Sequence, residues 1–446
     1  MQRLTIFFDR LMQRYLPDPF VLSLLLTMLA FLLGFTLTDS SVLQIVQYWG
    51  DSFWKLIPFT MQMVLILVTG YILALSPPVH RLLQRTANLV NTPGQGIVLV
   101  TLFSIAACWI NWGFGLVTGS LFARHMARQQ PDIDYRLVIA SAYSGFLVWH
   151  GGLSGSIPLS IATDNHFLSS MMGVIPVSKT LMAPYNLIIL LALLVVLPLI
   201  NWLMMPPVQD RVTIESSKLD NGHADWIHSV PDDKPLTPAQ NLEHSRLLPI
   251  LPVAMGLTYA VIYFQQPGSG LTLDIVNFLF LILGILCHGD AKRFLHAVTE
   301  SVKGAGGIII QFPFYAGIMG IVMSSGLGDL ISRQFIALST AETLPLYTFL
   351  SAGLVNLFVP SGGGQWAVQA PVLIPAALEL NVDTAKIAMA IAWGDAWTNM
   401  IQPFWALPAL AVAGLKARDI MGFCLVHLLV SGVIIGTVFY LGSVLN

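Results

Sequence analysis

Charge is what this chain most lacks. Lys, Arg, Asp and Glu make up 10% of its 446 residues, against about a quarter in soluble proteins, and its mean hydropathy is +0.74. That scarcity excludes a soluble globular protein and makes the chain a membrane protein. Cysteine is scarce too: Cys108, Cys287 and Cys424 each stand alone in an apolar segment, which argues against both a disulfide framework and a metal site. No basic run exceeds a dipeptide and 21 Lys+Arg meet 23 Asp+Glu, so nucleic acid is excluded as a partner. Long polar sequence is missing except between about Pro206 and Arg246, a stretch too short and too rich in Pro and Asp to bury its own core.

What is abundant is apolar sequence in membrane-sized pieces. Phe20 to Leu37 carries no charge, follows Arg3, Arg10 and Arg14, and lacks a small-residue cleavage site, so it reads as a retained membrane helix. Ahead of it, Leu4, Phe7, Phe8, Leu11 and Tyr15 alternate with the arginines as an amphipathic helix on the inner membrane surface requires. Further crossings are expected near 55–76, 135–163, 180–204, 247–264, 271–288, 305–325, 383–415 and 419–443, nine in all, with 135–163 and 383–415 interrupted. Two other apolar stretches behave differently. Residues 96–124 turn at Asn111-Trp-Gly-Phe-Gly115, with arms of only ~24 and ~18 Å as helices, and 343–378 repeat the pattern around Pro360-Ser-Gly-Gly-Gly364. Both read as helical hairpins that enter and leave by one face. This topology leaves only Lys55, Lys179, Arg333 and Lys386 outside and every other Lys and Arg inside, as cytoplasmic loops should be.

The two halves also resemble each other. At an offset of 249, Asn111–Gly115 falls on Pro360–Gly364; at 250, Ser141–Gly145 falls on Ile391–Asp395 and Pro158 on Pro408. The first copy starts inside and the second outside, the arrangement of inverted repeats around a midplane site. The expected fold is therefore an all-α polytopic membrane protein of inverted repeats, with two re-entrant helical hairpins and two broken transmembrane helices. Residues 1–204 form the first repeat, 205–270 a polar cytoplasmic loop and connecting helix, and 271–446 the second, inverted repeat.

Non-helical backbone at membrane depth survives only where protein or a cavity satisfies it. Four such points stand out: the two hairpin tips and the breaks His150–Pro158 and Thr398–Pro408. Their glycines let amides approach a ligand, and helix N-termini aimed at a break attract an anion. Asn111, Gly113, Gly115, Ser154, Gly155, Ser156, Ser361, Gly362, Gly363, Gly364, Asn399 and Gln402 are accordingly candidates for substrate binding. Gly115 with Gly119 fits a close helix-packing face better than a ligand contact. Ser361–Gly364 is no phosphate loop, and Gly152–Ser156 misses the second glycine of a nucleophile elbow. Trp112, Phe114, Trp366, Phe404 and Trp405 either fill space or wall a pocket for a small apolar tail.

Asp395 is the one acid placed inside a span away from its ends, where a carboxylate costs ~2.5–3.5 kcal/mol. With Thr398 and with His150, at the other break, it is the candidate for ion coupling; His427, alone in the last helix, reads as a packed histidine. No Lys or Arg lies near the four points, so an anion there needs helix dipoles, neutral donors and a co-transported cation, H⁺ or Na⁺. No cofactor and no resident metal are expected.

Several long motifs carry a family resemblance: YLPDPFVLSLLLT near the start, WGDSFW at 49–54, NWGFGLVTG at 111–119, GFLVWHGGLSGSIPL at 145–159, QFPFYAGI at 311–318, VPSGGGQWAVQAP at 359–371 and QPFWALPALAVAGL at 402–415. Nearly end to end, the chain resembles the bacterial short-chain fatty acid transporters of the acetoacetate and butyrate uptake type. His150 departs from the expected pattern, at a position where glycine is expected. The resemblance implies an inner-membrane carrier of short monocarboxylates and, more distantly, an ion-transporter fold whose hairpins and broken helices move as a unit. The expectation is alternating-access symport of a small carboxylate, with the N-terminus cytoplasmic, the C-terminus periplasmic, lipid as surroundings and a homodimer compatible. A sodium/proton exchanger or dicarboxylate carrier on a similar scaffold is the nearest alternative; an intramembrane hydrolase and a passive channel are more remote.

Topology is testable directly. Cysteines at Ser40 and Gly268 should react with an impermeant thiol reagent in intact cells, and cysteines at Gln209 and Gly289 only after permeabilisation.

Overall fold

The structure is a computed structural model that describes residues 19–215, 237–266, 268–357, 359 and 361–444. The amphipathic segment expected around Leu4–Tyr15, most of the polar loop, and Pro360 at the second hairpin tip lie outside the described residues, as does the side chain of Phe404. All regular structure among the described residues is helical.

The chain begins with α1 (Pro19–Leu37), α2 (Val42–Ser52), α3 (Ile57–Ala74) and α4 (Pro77–Ala87), followed by a hairpin of α5 (Pro93–Ile110) and α6 (Trp112–Gln129). A broken segment follows: α7 (Tyr135–Ser144), a 3-10 turn (Gly145–Gly151) and α8 (Ser156–Ile161). The short α9 (Ser169–Met172) and the long α10 (Pro184–Leu203) complete the first half. After α11 (Pro238–Glu243) come α12 (Ile250–Gln265), α13 (Leu273–His288), α14 (Ala291–Val302), α15 (Gly306–Ser324) and α16 (Leu327–Leu338). The second hairpin is α17 (Leu344–Asn356) with α18 (Gly362–Glu379), and the second broken segment is α19 (Thr384–Thr398), a 3-10 turn (Asn399–Ile401) and α20 (Pro403–Ala413). The long α21 (Ala417–Val444) closes the chain.

Among the described residues, seven segments are long and apolar enough to cross a membrane, including α1, α3, α10, α15 and α21 and the whole of Tyr135–Ile161. The expected crossings at 247–264 and 271–288 form the shorter α12 and α13, of 16 residues each. One expectation needs correcting: the arms of the first hairpin are not ~24 and ~18 Å but 18 residues each, about 27 Å. Thr92 caps α5 ahead of Pro93, which starts the helix early, and α6 runs past Arg124 and Arg128 to Gln129. By length and composition α5 could therefore span a membrane alone. The first interruption is also wider than His150–Pro158, since 3-10 geometry begins at Gly145. The second is narrower than Thr398–Pro408, since helix resumes at Pro403.

Local chemistry explains the hairpin turns. A helix that starts inside a bundle leaves amides without partners unless a side chain accepts from them. Asn111 Oδ1 accepts from the Phe114 amide at 2.9 Å and Ser361 Oγ from the Gly364 amide at 3.3 Å, so each second arm carries its own cap. Elements aligned in sequence also pack alike: α3 lies on α6 as α15 lies on α18, and α5 lies on α7 as α17 lies on α19.

Polarity is arranged inside out. Leu25, Val195 and Val433 are 51%, 67% and 70% exposed, a surface that lipid covers and water does not. Buried positions include Asn111, Ser154, His150, Asn186, Asn356, Gln365, Asp395, Asn399 and Gln402.

Close helix approaches are set by glycine. A side chain at Gly320 on α15 would collide with Ser52 and the Tyr48 carbonyl on α2, whereas Gly50 faces open space. Gly320→Val should destabilise the purified protein by about 1–3 kcal/mol through overpacking, read as a lower apparent Tm. Gly50→Ala should leave it unchanged or slightly higher.

Candidate functional site

The breaks and tips converge. His150, at the end of the first 3-10 turn, places Nδ1 2.7 Å from the Ala392 carbonyl on α19 and 3.2 Å from Asp395 Oδ2. A carbonyl only accepts, so Nδ1 carries a hydrogen. Nε2 lies 2.9 Å from Ser156 Oγ, at the first turn of α8. A neutral His150 accepts the serine hydroxyl there, and an imidazolium donates to it. Trp149 stacks on the ring, centroids 3.6 Å apart. The second tip closes this corner: a Cβ on Gly362 would strike His150 and Ser156 Oγ. Asp395 is fully buried; its Oδ2 is also 3.5 Å from Asn399 Nδ2, and its Oδ1 has no partner.

Asn356, the last residue of α17, organises the second break. Its Nδ2 lies 2.8 Å from the Asp395 carbonyl and 2.9 Å from both Thr398 Oγ1 and Asn399 Oδ1. Gln402 Nε2 donates to the Asn356 carbonyl, and Thr398 Oγ1 donates to the Gly353 carbonyl at 2.9 Å. Gln365 Nε2, on α18, reaches the Ala352 carbonyl at 2.8 Å and Gln369 Oε1 at 2.7 Å. Four buried oxygens around this cluster accept nothing: Asp395 Oδ1, Asn356 Oδ1, Gln365 Oε1 and Gln402 Oε1.

The first tip has the opposite polarity. Ser154 Oγ accepts from the Trp112 amide at 2.9 Å, which locks the tip to the first break, and the Leu153 amide donates to the Trp109 carbonyl at 2.7 Å. Asn111 Nδ2, Trp112 Nε1 and Trp149 Nε1 are buried donors without an acceptor. Trp112, Trp149, Phe146 and Trp405 form one aromatic group with neighbouring centroids 5.3–5.9 Å apart.

Of the residues singled out in the sequence, His150, Ser156, Gly362, Asp395 and Asn399 form one cluster. Asn111 joins Ser154 through Trp112, and Thr398 and Gln402 join the cluster through Asn356. Four glycines fit against helices: Gly113 against Leu67, Gly115 against Cys108 in the other arm, Gly363 against Phe59 and Phe312, and Gly364 against Tyr315. Gly155 closes the turn back onto the His150 carbonyl. Asn356, Gln365, Phe146 and Trp149 were missed. Asn356 was legible as an amide in an apolar arm four residues before Pro360; the others carried no distinguishing signal. His427 is not simply packed: its Nε2 lies 2.6 Å from Asn201 Oδ1, and Asn201 Nδ2 reaches Thr101 and Ser144.

Among the described residues the bundle is all-helical, and its broken helices meet at a buried polar centre, an arrangement that secondary transporters use. A solved structure, the YdaH transporter of Alcanivorax borkumensis, described as having an unusual topology, superposes with a TM-score of 0.59 at 16% identity, over 96% of this chain and 98% of that one. The sequence profile of the family described as "Short chain fatty acid transporter" matches residues 1–442. The "Putative short-chain fatty acid transporter" of Escherichia coli (strain K12) is 48% identical over 432 residues, covering 97% of this chain and 98% of the relative. The protein of the same description from Haemophilus influenzae (strain ATCC 51907 / DSM 11121 / KW20 / Rd) is 44% identical over 434 residues, 96% of each chain. This chain belongs to the short-chain fatty acid transporter family.

The hub at Asn356 makes a stability prediction. Asn356→Leu leaves Asn399 Oδ1 without its donor and removes one of the two donors to the Asp395 carbonyl, which keeps the Asn399 amide. It should lower stability by about 1–3 kcal/mol, measured by thermal unfolding of the purified protein.

Proposed function

We propose that this protein is a proton-coupled symporter of short-chain monocarboxylates, such as butyrate or acetoacetate, working by alternating access in the bacterial inner membrane with its N-terminus cytoplasmic. The observation that carries the reading is the set of unpartnered groups: only donors among Asn111, Trp112 and Trp149 at the first hairpin tip, and around the second four acceptor oxygens with one donor, Trp366 Nε1. A carboxylate needs donors, and Asn111 Nδ2, Trp112 Nε1 and Trp149 Nε1 supply them beside the amides at the start of α6. The aromatic group of Trp112, Trp149, Phe146 and Trp405 then faces the short apolar tail.

The substrate's charge sets the coupling. The stretches 86–123, 137–178, 334–385 and 387–415 contain no Lys or Arg, so a carboxylate in the site meets Asp395 without a fixed cation to separate them. Two negative charges in a low-dielectric interior repel strongly. A proton on the Asp395–His150 pair removes that conflict, and the 3.2 Å contact lets either group hold it. Loading the acid with its proton makes the transported unit electrically neutral, which lowers the barrier to moving the hairpins and broken helices across the bilayer.

A second reading, Na⁺ coupling, is favoured by the four unpartnered oxygens around Asn356, since a hard cation takes oxygen ligands. The two are separated in proteoliposomes by imposing pH and Na⁺ gradients independently. Under proton coupling, an inward proton gradient alone drives concentrative butyrate uptake. Asp395→Asn should abolish accumulation by more than tenfold while butyrate–butyrate exchange survives, because the amide mimics the protonated acid. Uptake that follows only the Na⁺ gradient, with the sodium requirement raised in Asp395→Asn, selects the second reading. Wild-type behaviour of the variant removes Asp395 from coupling altogether.

A further inference from the structure

A cleft of about 560 Å³ lies apart from the buried site, lined by Ser178, Lys179 and Tyr185 from the loop before α10 and its first turn, Glu342 from the loop before α17, and Asp383 and Lys386 from the cap and first turn of α19. In the expected topology all three segments face outward, and only four of the chain's cations do. Two of those four, Lys179 and Lys386, share this cleft.

Three helices begin at its walls: α10 at Pro184, α17 at Leu344 and α19 at Thr384. Each N-terminus presents a partial positive charge of roughly half a unit. The two acids are already matched to such ends. Asp383 caps α19, its Oδ1 accepting the Ala385 amide at 2.9 Å, and Glu342 lies beside the start of α17. Asp383 also offsets part of the Lys386 charge, which leaves the start of α10 and the Lys179 ammonium as the least compensated positive groups of the cleft. Lys386 uses one donor on the Gly442 carbonyl at 2.5 Å; an ammonium has three.

The cleft is mechanically joined to the site. Lys386 and Asp395 lie on α19, about 14 Å apart along the helix. Asn186, at the start of α10, donates to the Gly151 carbonyl at 3.1 Å and accepts from Trp393 Nε1 at 2.9 Å. One wall of the cleft is thereby tied to the first break.

We propose that this cleft is an outer capture site for small carboxylate anions, which holds the substrate by Lys179, Lys386 and the α10 N-terminus before it passes to the buried site. The inference rests on the transport reading for the identity of the anion and for the outward orientation. Its occupant is a monocarboxylate of a few carbons, since the cleft's cations are few and partly offset.

The test reads the cleft itself, in the purified full chain, with Ser178→Cys in a Cys287→Ser background; the other two cysteines are buried. An anionic thiosulfonate should modify Cys at this position roughly tenfold faster than a cationic one. Butyrate should slow the reaction where equal ionic strength of chloride does not. Adding Lys179→Gln or Lys386→Gln should abolish both effects, and Lys179→Arg should keep them. Equal rates for the two reagents, or an anion preference that butyrate does not protect, overturns the capture site. In proteoliposomes Lys179→Gln should raise KM several-fold with unchanged Vmax, an effect that shrinks with added salt; a fall in Vmax alone overturns the capture role. Absence of carboxylate uptake by the wild-type protein counts against the transport reading, whereas the labelling result stands or falls independently.

Discussion

An ionised carboxylate cannot sit at membrane depth unneutralised, and the arrangement of this molecule follows from that constraint. Asp395 is fully buried on a helix that stops three residues later. His150 faces it from the opposite break, and the Gly362 turn closes over both. The irregular backbone at these points is the means by which two halves of the chain bring a histidine, a carboxylate and a glycine tip into one corner. Straight helices would present side chains in rows along their length. Broken ones present amides, carbonyls and side chains together at one depth.

The same constraint explains the surroundings. Amide side chains, not charged ones, carry the hydrogen bonding: the two hydrogens of Asn356 Nδ2 are shared among three oxygens, Gln402 returns to the Asn356 carbonyl, and Asn186 joins α10 to α19. Neutral groups give polarity without the desolvation cost of a fixed ion. They leave the net charge of the centre to be set by what binds there. In the proposed cycle the anion and its proton cancel, so the protein moves a neutral load.

Much of this was legible in sequence because membranes restrict backbone so severely. The apolar run 20–37 became α1, the turn at Asn111 became a capped hairpin, and the isolated acid Asp395 proved fully buried beside His150. What hydropathy could not show was length where polar residues continue a helix, as in α6 beyond Arg124, because helix propensity does not end where apolarity does. Nor could it distinguish Gly362, which packs on His150, from Gly364, which packs on Tyr315, because the difference lies in which helix approaches from outside the motif. Asn356 escaped notice since a single asparagine near a turn reads as a cap, and only the approach of α19 makes it a hub.

The central claim is that substrate binding at the first hairpin tip is accompanied by binding of a proton at the Asp395–His150 pair. The direct measurement is proton uptake by the purified protein when butyrate is added in weakly buffered solution near neutral pH, where the free acid is already ionised, followed with an indicator dye and in the absence of Na⁺. The account predicts that a proton is taken up with each butyrate bound and that Asp395→Asn binds butyrate without that uptake. Butyrate binding by the wild-type protein with no change in bound protons would contradict it.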